Sequence, residues 1–214
     1  MMLNATRMWR RMLIAGCCVL AIPAIAEAKS EPTETAVVGT DGAAIALQLE
    51  SDARGCLRKR TVSFVVEGDA DAFQTSSTER GGTFSLGLAE VPGGASSVLV
   101  TAVRKGRCEA DTIEIAFDQA TLTGGPSGGA FGGVLSSSVE ACEPGRRIEL
   151  YEISSEPVFV GWNLTEANGE WTIAQAGGTY EARATPSIVG DGDSFGYCSA
   201  VVSFPWTFEE PVEP

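Results

Sequence analysis

The sequence contains no histidine, the side chain most often used as a general base and as a metal ligand. Without histidine the chain cannot form a Ser-His-Asp or Cys-His catalytic arrangement, nor a zinc site of any histidine-containing type. Carboxylates alone can hydrolyse glycosides, but no spacing among the 28 Asp and Glu residues singles out a catalytic pair. We therefore predict a protein that is not an enzyme, with no catalytic residues, no metal site and no cofactor.

Positive charge is also scarce. The chain has 15 Lys and Arg residues against 28 Asp and Glu residues, a net charge of −13. Nucleic acids and anionic membranes attract positively charged surfaces, so we expect neither as a general partner. The sequence also lacks an apolar run of about 20 residues, the length needed to span a bilayer.

A shorter apolar run, residues 12–22, has the features of a secretory signal. It follows Arg7, Arg10 and Arg11, ends at Pro23, and precedes a small-x-small cleavage pattern at residues 26–28. We predict that residues 1–28 are a signal peptide and that the mature protein is secreted. In the alternative, residues 14–17 form a lipoprotein processing box, and an acylated Cys17 anchors the protein to the cell envelope.

Four cysteines remain after removal of the signal: Cys56, Cys108, Cys142 and Cys198. An even number of cysteines in an oxidising compartment predicts disulfides, although four cysteines allow three pairings. The intervals between the first and second pairs are similar, 108 − 56 = 52 and 198 − 142 = 56 residues. Similar intervals suggest two similar domains, each closed by its own bridge.

The two halves of the chain match at an offset of 86 residues. The segment AIALQLESDARGC (residues 44–56) corresponds to AFGGVLSSSVEAC (residues 130–142). With one residue of slip, TERGGTFSL (78–86) corresponds to TEANGEWTI (165–173). At the end of each half, Ile113, Ile115 and Phe117 match residues 204, 206 and 208. The order of segments and the placement of cysteines indicate an internal duplication.

Apolar residues within each half alternate with a period of two, as in residues 158–164. Short alternating runs separated by Gly, Pro, Asn and Asp clusters are typical of β-sandwiches. We predict an all-β protein of two tandem immunoglobulin-like or transthyretin-like antiparallel sandwiches, with one disulfide each. The domains are expected at residues 35–120 and 130–210, joined by a Gly-rich linker at 121–129 whose first part is flexible.

The second half resembles the transthyretin-like fold of carboxypeptidase regulatory-like domains and the related Cna-B-like, immunoglobulin-like surface domains. The resemblance rests on residues 147–151, Thr165, Asn168, Gly169, Trp171, Gly178 and Tyr180. The first half departs from the pattern, with Gly81-Gly82 in place of Asn-Gly. The resemblance implies tandem domains of a secreted bacterial protein with an accessory, non-catalytic role.

Basic residues concentrate around the first two cysteines. If these cysteines pair, the cations gather at one end of the first domain, where an anionic partner such as a cell-wall polymer or acidic glycan could dock. Without such a partner they form a solvated loop edge. The candidate ligand-binding cations are Arg58, Lys59, Arg60, Arg104, Lys105 and Arg107, with Arg54 beside them.

Aromatic residues concentrate in the second half. By correspondence with the first half, Trp171, Phe204, Trp206 and Phe208 are expected in the core. A second set, Phe159, Phe195 and Tyr197, has no counterparts and forms the candidate exposed patch for stacking on sugars.

Two acidic loops, at residues 69–73 and 191–196, could bind calcium weakly. The EF-hand pattern fails in the second loop, because Phe195 and Val202 occupy the fifth and twelfth positions. We interpret both loops as polar turns and leave weak Ca²⁺ binding at Asp191 and Asp193 open.

The sequence thus predicts a secreted, non-enzymatic binding or structural protein whose partner is an extracellular protein or a polysaccharide. The alternatives are a carbohydrate-binding module that uses the second-domain aromatics, and a hydrolase with two carboxylates converging in a cleft between the domains.

Overall fold

The computed structural model describes residues 29–127, 129–175 and 177–208. The predicted signal peptide and Cys17 lie outside these residues. The strands are β1 (Glu34–Thr40), β2 (Ala44–Glu50), β3 (Thr61–Val66), β4 (Gln74–Ser77), β5 (Thr83–Gly87), β6 (Ser97–Ala102), β7 (Asp111–Phe117), β8 (Thr121–Leu122), β9 (Gly125–Ser127), β10 (Ala130–Ser136), β11 (Arg147–Glu152), β12 (Val158–Leu164), β13 (Glu170–Ala174), β14 (Gly178–Ala184), β15 (Ser187–Asp191), β16 (Ser194–Cys198), β17 (Val201–Val202) and β18 (Trp206–Phe208). Three short 3₁₀ turns span Arg54–Cys56, Leu88–Glu90 and Glu140–Cys142.

The strands form two sandwiches, as the alternating sequence pattern predicts. In the first, sheet β1-β2-β5 covers a sheet that contains β4-β3-β6-β7. In the second, β10 pairs with β8, β9 and β13, and this sheet faces β12-β11-β14, which β17 and β18 extend. Inward-facing residues of each pair of sheets form separate apolar cores. The prediction of an all-β, immunoglobulin-like tandem fold is confirmed.

The disulfides follow the predicted pairing. Cys56 bonds to Cys108 and Cys142 bonds to Cys198, so each repeat is closed by its own bridge. In both repeats the first cysteine ends a 3₁₀ turn that precedes the next strand, β3 or β11. In the chain-entropy model, closing a loop of this length stabilises a domain by about 4 kcal/mol.

The segment expected as a flexible linker is instead part of the second sandwich. Strands β8 and β9 lie within residues 121–129, and both pair with β10. Glycines on both sides of this pairing permit close packing: a Cβ on Gly133 of β10 would overlap the carbonyl oxygen of Thr123, and one on Gly124 would lie 3.1 Å from the Phe131 ring. Glycine here reflects close approach of two strands, a demand that composition alone does not distinguish from flexibility.

The end of the second repeat also departs from the prediction. In the first repeat β7 is one continuous strand, but its counterpart is divided into β17 and β18 around Pro205. Proline has no N–H for the sheet ladder, so it interrupts the strand. Phe204 is consequently 84% exposed and Trp206 44% exposed, although the repeat predicted both in the core. The repeat also predicts Phe208 in the core, but its side chain lies outside the described part of the structure.

A hairpin without counterpart in the first repeat, β15–β16, joins the two domains. Strand β16 pairs in parallel with β7, so the second domain adds two strands to the larger sheet of the first. Tyr197 of β16 packs in the first domain's core, with its ring 5.7 Å from that of Phe117. Beside this pairing, the buried Asp118 accepts a hydrogen bond from the backbone N–H of Ser199. The two domains therefore share one sheet.

Candidate binding surfaces

Arg60, a sequence-predicted ligand-binding cation, is fully buried. Its guanidinium group donates hydrogen bonds to the carbonyl oxygens of Val103, Cys56, Ala102 and Glu109 and to the hydroxyl of Thr33. Burial in the low-dielectric interior lowers the pKa of Arg60 from its usual value, and the charge of Asp111 opposes this effect. Arg60 cannot reach a partner, and its assignment as a ligand-binding residue is wrong.

The second repeat places Arg146 in the same position, 86 residues later. It too is buried, and it donates to the carbonyl oxygens of Cys142, Thr185 and Ser199. It also lies 3.8 Å from Asp118, and both side chains are buried. Desolvation lowers the pKa of Arg146, while Asp118 opposes the shift. Because both repeats have this arginine, we interpret it as a structural residue. Its hydrogen bonds connect the 3₁₀ turn that ends at the first cysteine of each repeat to neighbouring segments.

The other basic residues of the first domain remain at the surface. Arg107 ion-pairs weakly with Glu31 at 3.9 Å, and the Lys105 ammonium donates to the carbonyl oxygens of Arg58 and Lys59. The guanidinium groups of Arg58 and Arg104 make no ion pair with any described residue. The predicted basic end thus exists without Arg60.

Arg58 also lies in a feature that the sequence did not reveal, a groove shared with the β4–β5 turn. Two adjoining depressions have Arg58 and Arg80 in common; one continues to Arg54 and Leu57, the other to Lys59 and Glu79. We call the combined depression, which Gly55 and Thr78 also line, the basic groove. Arg80 is 22 residues from Arg58 (80 − 58 = 22) and joins it only through the hairpin fold.

The predicted strip of exposed aromatics does not form. Tyr197 is only 7% exposed and belongs to the first domain's core, and burial raises the pKa of its hydroxyl. Phe195 is half-buried against the same core. Phe159 alone of the three is well exposed, at 48%. The prediction that Tyr197 and Phe195 belong to an exposed sugar-binding patch is wrong, because the hairpin that carries them pairs with the first domain.

Phe159 instead belongs to an aromatic and charged surface on the second domain, which sequence reasoning missed. The guanidinium of Arg147 lies 4.9 Å from the Trp162 ring, and that of Arg183 lies 4.3 Å from the Tyr151 ring. The Tyr151 and Phe159 rings meet edge to face at 5.7 Å. We call the solvent-facing side of β12, β11 and β14, which carries these five residues, the outer face.

Acidic side chains hold the cations of the outer face in position. Glu149 lies 2.9 Å from the Arg147 guanidinium and also accepts a hydrogen bond from the Tyr151 hydroxyl, which raises the pKa of Tyr151. Glu181 lies 2.7 Å from Arg183. Partial exposure limits the energy of each pair, but together the contacts orient the rings and the guanidinium groups.

Strand β12 ends its sheet, so the outer face is bounded by a strand edge. Strand β12 contains a bulge at Val160. Of its four alternating apolar residues, Val158, Trp162 and Leu164 are exposed, and only Val160 packs against the core. Trp162 is 53% exposed. Trp162 and Leu164 pair with Glu149 and Arg147, so the register with β11 directs both side chains to the solvent side of the sheet. The bulge at Val160 then shifts the register by one residue and brings Phe159 to the same side, opposite Tyr151.

The first domain provides an internal comparison for the outer face. Thr61, Ser63 and Thr101 of the first domain occupy the positions of Arg147, Glu149 and Arg183, as judged from strand pairing. Positions on the edge strand differ in the same direction. Thr75 and Ser77 correspond to Trp162 and Leu164. The same framework therefore carries small hydroxyl side chains in one domain and large aromatic, aliphatic and charged side chains in the other.

The acidic loops are polar turns. Asp191 and Asp193 flank Gly192 at the tip of the β15–β16 hairpin, and residues 69–73 form a loop with bends between β3 and β4. Within the described ranges, no group of three or more Cys, Asp or Glu side chains is arranged to hold a metal ion. In the same part of the chain, no helix is long and apolar enough to cross a membrane.

No protein-family model and no curated protein matches this chain. Among solved structures, the chain is similar to the crystal structure of chicken CNTN1 FN1-FN3 domains, at 14% identity and a TM-score of 0.26. That match covers 86% of this chain and 68% of the other. So low a TM-score carries no weight, and the immunoglobulin-like fold rests on the sheets and disulfides described above.

Proposed function

We propose that this chain is a secreted, non-enzymatic binding protein that holds an extracellular protein partner on its outer face. The observation that carries the proposal is the contrast between the domains. Where the first domain has Thr and Ser, the second exposes Trp162, Leu164 and two arginines. A solvated sheet face does not require such residues, whereas Trp, Tyr and Arg are the side chains most enriched at the centres of protein interfaces.

The edge of β12 supports the same proposal. Exposed apolar side chains on an unpaired edge strand invite pairing with another chain, and soluble proteins usually protect such edges with charge or proline. A partner that adds a strand beside β12 would gain backbone hydrogen bonds and would cover Val158 and Phe159. The disulfides and the predicted signal are consistent with an oxidising extracellular location.

The proposal includes an accessory role in a bacterial protein. This role is implied by the resemblance to carboxypeptidase regulatory-like domains. The alternative, sugar binding, now depends on Phe159, Tyr151 and Trp162. The guanidinium groups of Arg147 and Arg183 already lie over two of these rings, which reduces the free ring surface available for stacking on a sugar.

Site-specific photocrosslinking tests the proposal. A benzophenone amino acid is placed at position 162 of the whole chain and, as a matched control, at position 75, its counterpart in the first repeat. The chain is then exposed to intact cells and culture medium of its source. We expect position 162 to capture a defined protein and position 75 to capture none.

The captured partner is then purified and its affinity measured. Trp162→Thr should weaken binding at least about tenfold, the effect expected for an interface hot spot. Val38→Thr, at an exposed position of the first domain, should leave affinity unchanged. Equal crosslinking at positions 75 and 162, or unchanged affinity for Trp162→Thr, would refute the proposal. Trp162-dependent binding on a glycan array without a protein partner would support sugar binding instead.

A further inference from the structure

The basic groove is a separate site from the outer face, and its arginines serve no visible structural purpose. Arg54, Arg58 and Arg80 are exposed. Their guanidinium groups form no hydrogen bond or ion pair with any described residue, although Glu79 lines the same groove. In a chain of net charge −13, with carboxylates abundant, three unpaired arginines on one depression are unexpected.

The second repeat shows that the fold does not need these cations. It builds the same 3₁₀ turn, disulfide and hairpin turn, yet at the four corresponding positions it has no basic residue. Arg54, Arg58, Lys59 and Arg80 correspond to Glu140, Pro144, Gly145 and Ala167. The buried arginine is retained in both repeats, as a structural residue would be, whereas the groove cations occur in one.

Lys59 adds a second, independent observation. Among the residues that the structure describes, it is the only non-glycine residue with a positive φ, at 52°, while its counterpart Gly145 has a φ of 66°. A side chain in this left-handed conformation is strained, and such strain is concentrated at functional sites. The first repeat therefore keeps a cation on the groove where the second repeat has the unstrained residue.

The groove is held rigidly by the fold. Thr78, at the start of the β4–β5 turn, donates from its hydroxyl to the carbonyl oxygen of Leu57 and accepts from the backbone N–H of Arg60. The backbone N–H of Lys59 also donates to the Thr78 carbonyl oxygen, at 3.0 Å. These bonds fix the backbone segment carrying Arg54 and Arg58 against the turn carrying Arg80, so the backbone that carries the cations needs no rearrangement when a ligand binds.

The chemistry of the lining identifies the class of ligand. Guanidinium groups match carboxylate, sulfate and phosphate oxygens through paired hydrogen bonds. Among the described residues that line the groove, none is aromatic and Leu57 is the only large apolar one. A protein partner would need a larger apolar centre, whereas a chain of sugars carrying anionic groups needs only repeated charge in a shallow groove.

We propose that the basic groove binds an acidic polysaccharide, with Arg54, Arg58, Lys59 and Arg80 pairing with its anionic groups. Such a site would hold the secreted protein at an anionic cell-surface or matrix polymer while the outer face remains free. The anionic group is either a carboxylate or a sulfate, and the probes below distinguish them.

The test measures binding of the whole chain to immobilised polygalacturonate, dextran sulfate and uncharged dextran. We expect binding to at least one acidic polymer at 50 mM NaCl, weakening with added salt, and none to dextran. Arg58→Gln/Arg80→Gln should weaken binding at least about tenfold, the loss of one or two charge-assisted contacts. The control Arg104→Gln/Arg107→Gln removes the same charge outside the groove and should change affinity less than about threefold.

Several results would overturn the proposal. One is the absence of binding to either acidic polymer, and another is equal loss in the two double variants, which would indicate diffuse charge. Equal affinity for duplex DNA would show that the groove does not select a polysaccharide. Self-association of the wild type in sedimentation, lost in Arg58→Gln/Arg80→Gln without polymer binding, would identify an acidic second copy as the occupant. Both variants should unfold at the wild-type denaturant midpoint.

Discussion

Replacing Asp118 with alanine should loosen the connection between the two domains. Asp118 follows β7, the strand of the first domain that receives β16 from the second. One of its carboxylate oxygens accepts from the Ser199 N–H at 2.6 Å, and the other accepts from the Ser137 hydroxyl at 3.3 Å. The same carboxylate is the charge partner of buried Arg146. Alanine removes all of these contacts at once.

The loss in the free energy of unfolding can be estimated from the cost of breaking a buried ion pair, with Arg60 as an example of a buried arginine that has no ion-pair partner. Removing one member of a buried ion pair costs about 3–5 kcal/mol, because the other charge stays buried without a partner. Arg146, however, keeps its carbonyl acceptors, and Arg60 is fully buried with carbonyl and hydroxyl acceptors alone. We therefore expect the low end of that range, a loss of about 3 kcal/mol in the free energy of unfolding for Asp118→Ala. Asp118→Asn keeps an acceptor for Ser199 and should cost about half as much.

The distribution of tryptophan provides the assay. From Lys29 onward, the tryptophans are Trp162, Trp171 and Trp206, all in the second domain. Tryptophan fluorescence therefore follows unfolding of the second domain, while far-UV circular dichroism follows both. In urea the two curves should coincide for the wild type. In Asp118→Ala they should separate, and the fluorescence midpoint should fall by about 1–1.5 M, the loss of about 3 kcal/mol divided by an m-value of about 2–3 kcal/mol/M.

Coincident curves with a loss below about 1 kcal/mol in Asp118→Ala would refute this reasoning, because a well-packed buried ion pair cannot be removed so cheaply. Separate curves in the wild type would refute it in a different way. They would show that pairing of β16 with β7 does not couple the domains.

Four further predictions concern single side chains. Arg60→Met should lower the free energy of unfolding by about 3 kcal/mol or more, because five buried acceptors lose their hydrogen-bond donor. The control Arg58→Met, at an exposed position, should change it by less than about 0.5 kcal/mol in the same urea assay. Lys59→Gly should raise the free energy of unfolding by about 0.5 kcal/mol, since relief of the left-handed strain exceeds the added freedom of the unfolded chain; a urea midpoint below that of the wild type would contradict this. Burial raises the pKa of Tyr197, so the native state holds the phenolic proton more tightly than the unfolded chain does. The contribution of this group to the free energy of unfolding is fully present below the unfolded pKa of about 10, and it is lost as pH rises through the native pKa. Tyr197→Phe should therefore lose less stability than the wild type between pH 8 and pH 11. Gly133→Ala should reduce the melting temperature markedly, because its methyl group would overlap the Thr123 carbonyl, and unchanged melting would show that β8 does not pack as described.

Much of the fold could be predicted from local pattern. Alternation with a period of two identified strands, and Trp171 is buried, as its correspondence with the first half predicts. The 86-residue offset and the cysteine intervals predicted both disulfides. These features depend on neighbours close in sequence or on the repeat itself, and the sequence contains both.

The candidate sites were predicted less well, for reasons that differ from residue to residue. Arg60 belongs to a charged type that is seldom buried, and only carbonyl groups from several distant segments make its burial tolerable. Arg80 joins Arg58 through a hairpin that brings two loops together. Trp162 faces solvent because its register places it opposite Glu149 of β11, and alternation alone does not reveal which face of a strand is buried.

The sequence by itself determined the class of fold, the duplication and the disulfide pairing, because each depends on periodicity or on spacing along the chain. Only the tertiary structure decided which side chains are exposed, since exposure depends on what packs over them. The hairpin that carries Phe195 and Tyr197 illustrates the difference. Its alternation predicts strands in either domain, but its parallel pairing with β7 buries Tyr197 in the neighbouring core and removes it from any binding surface.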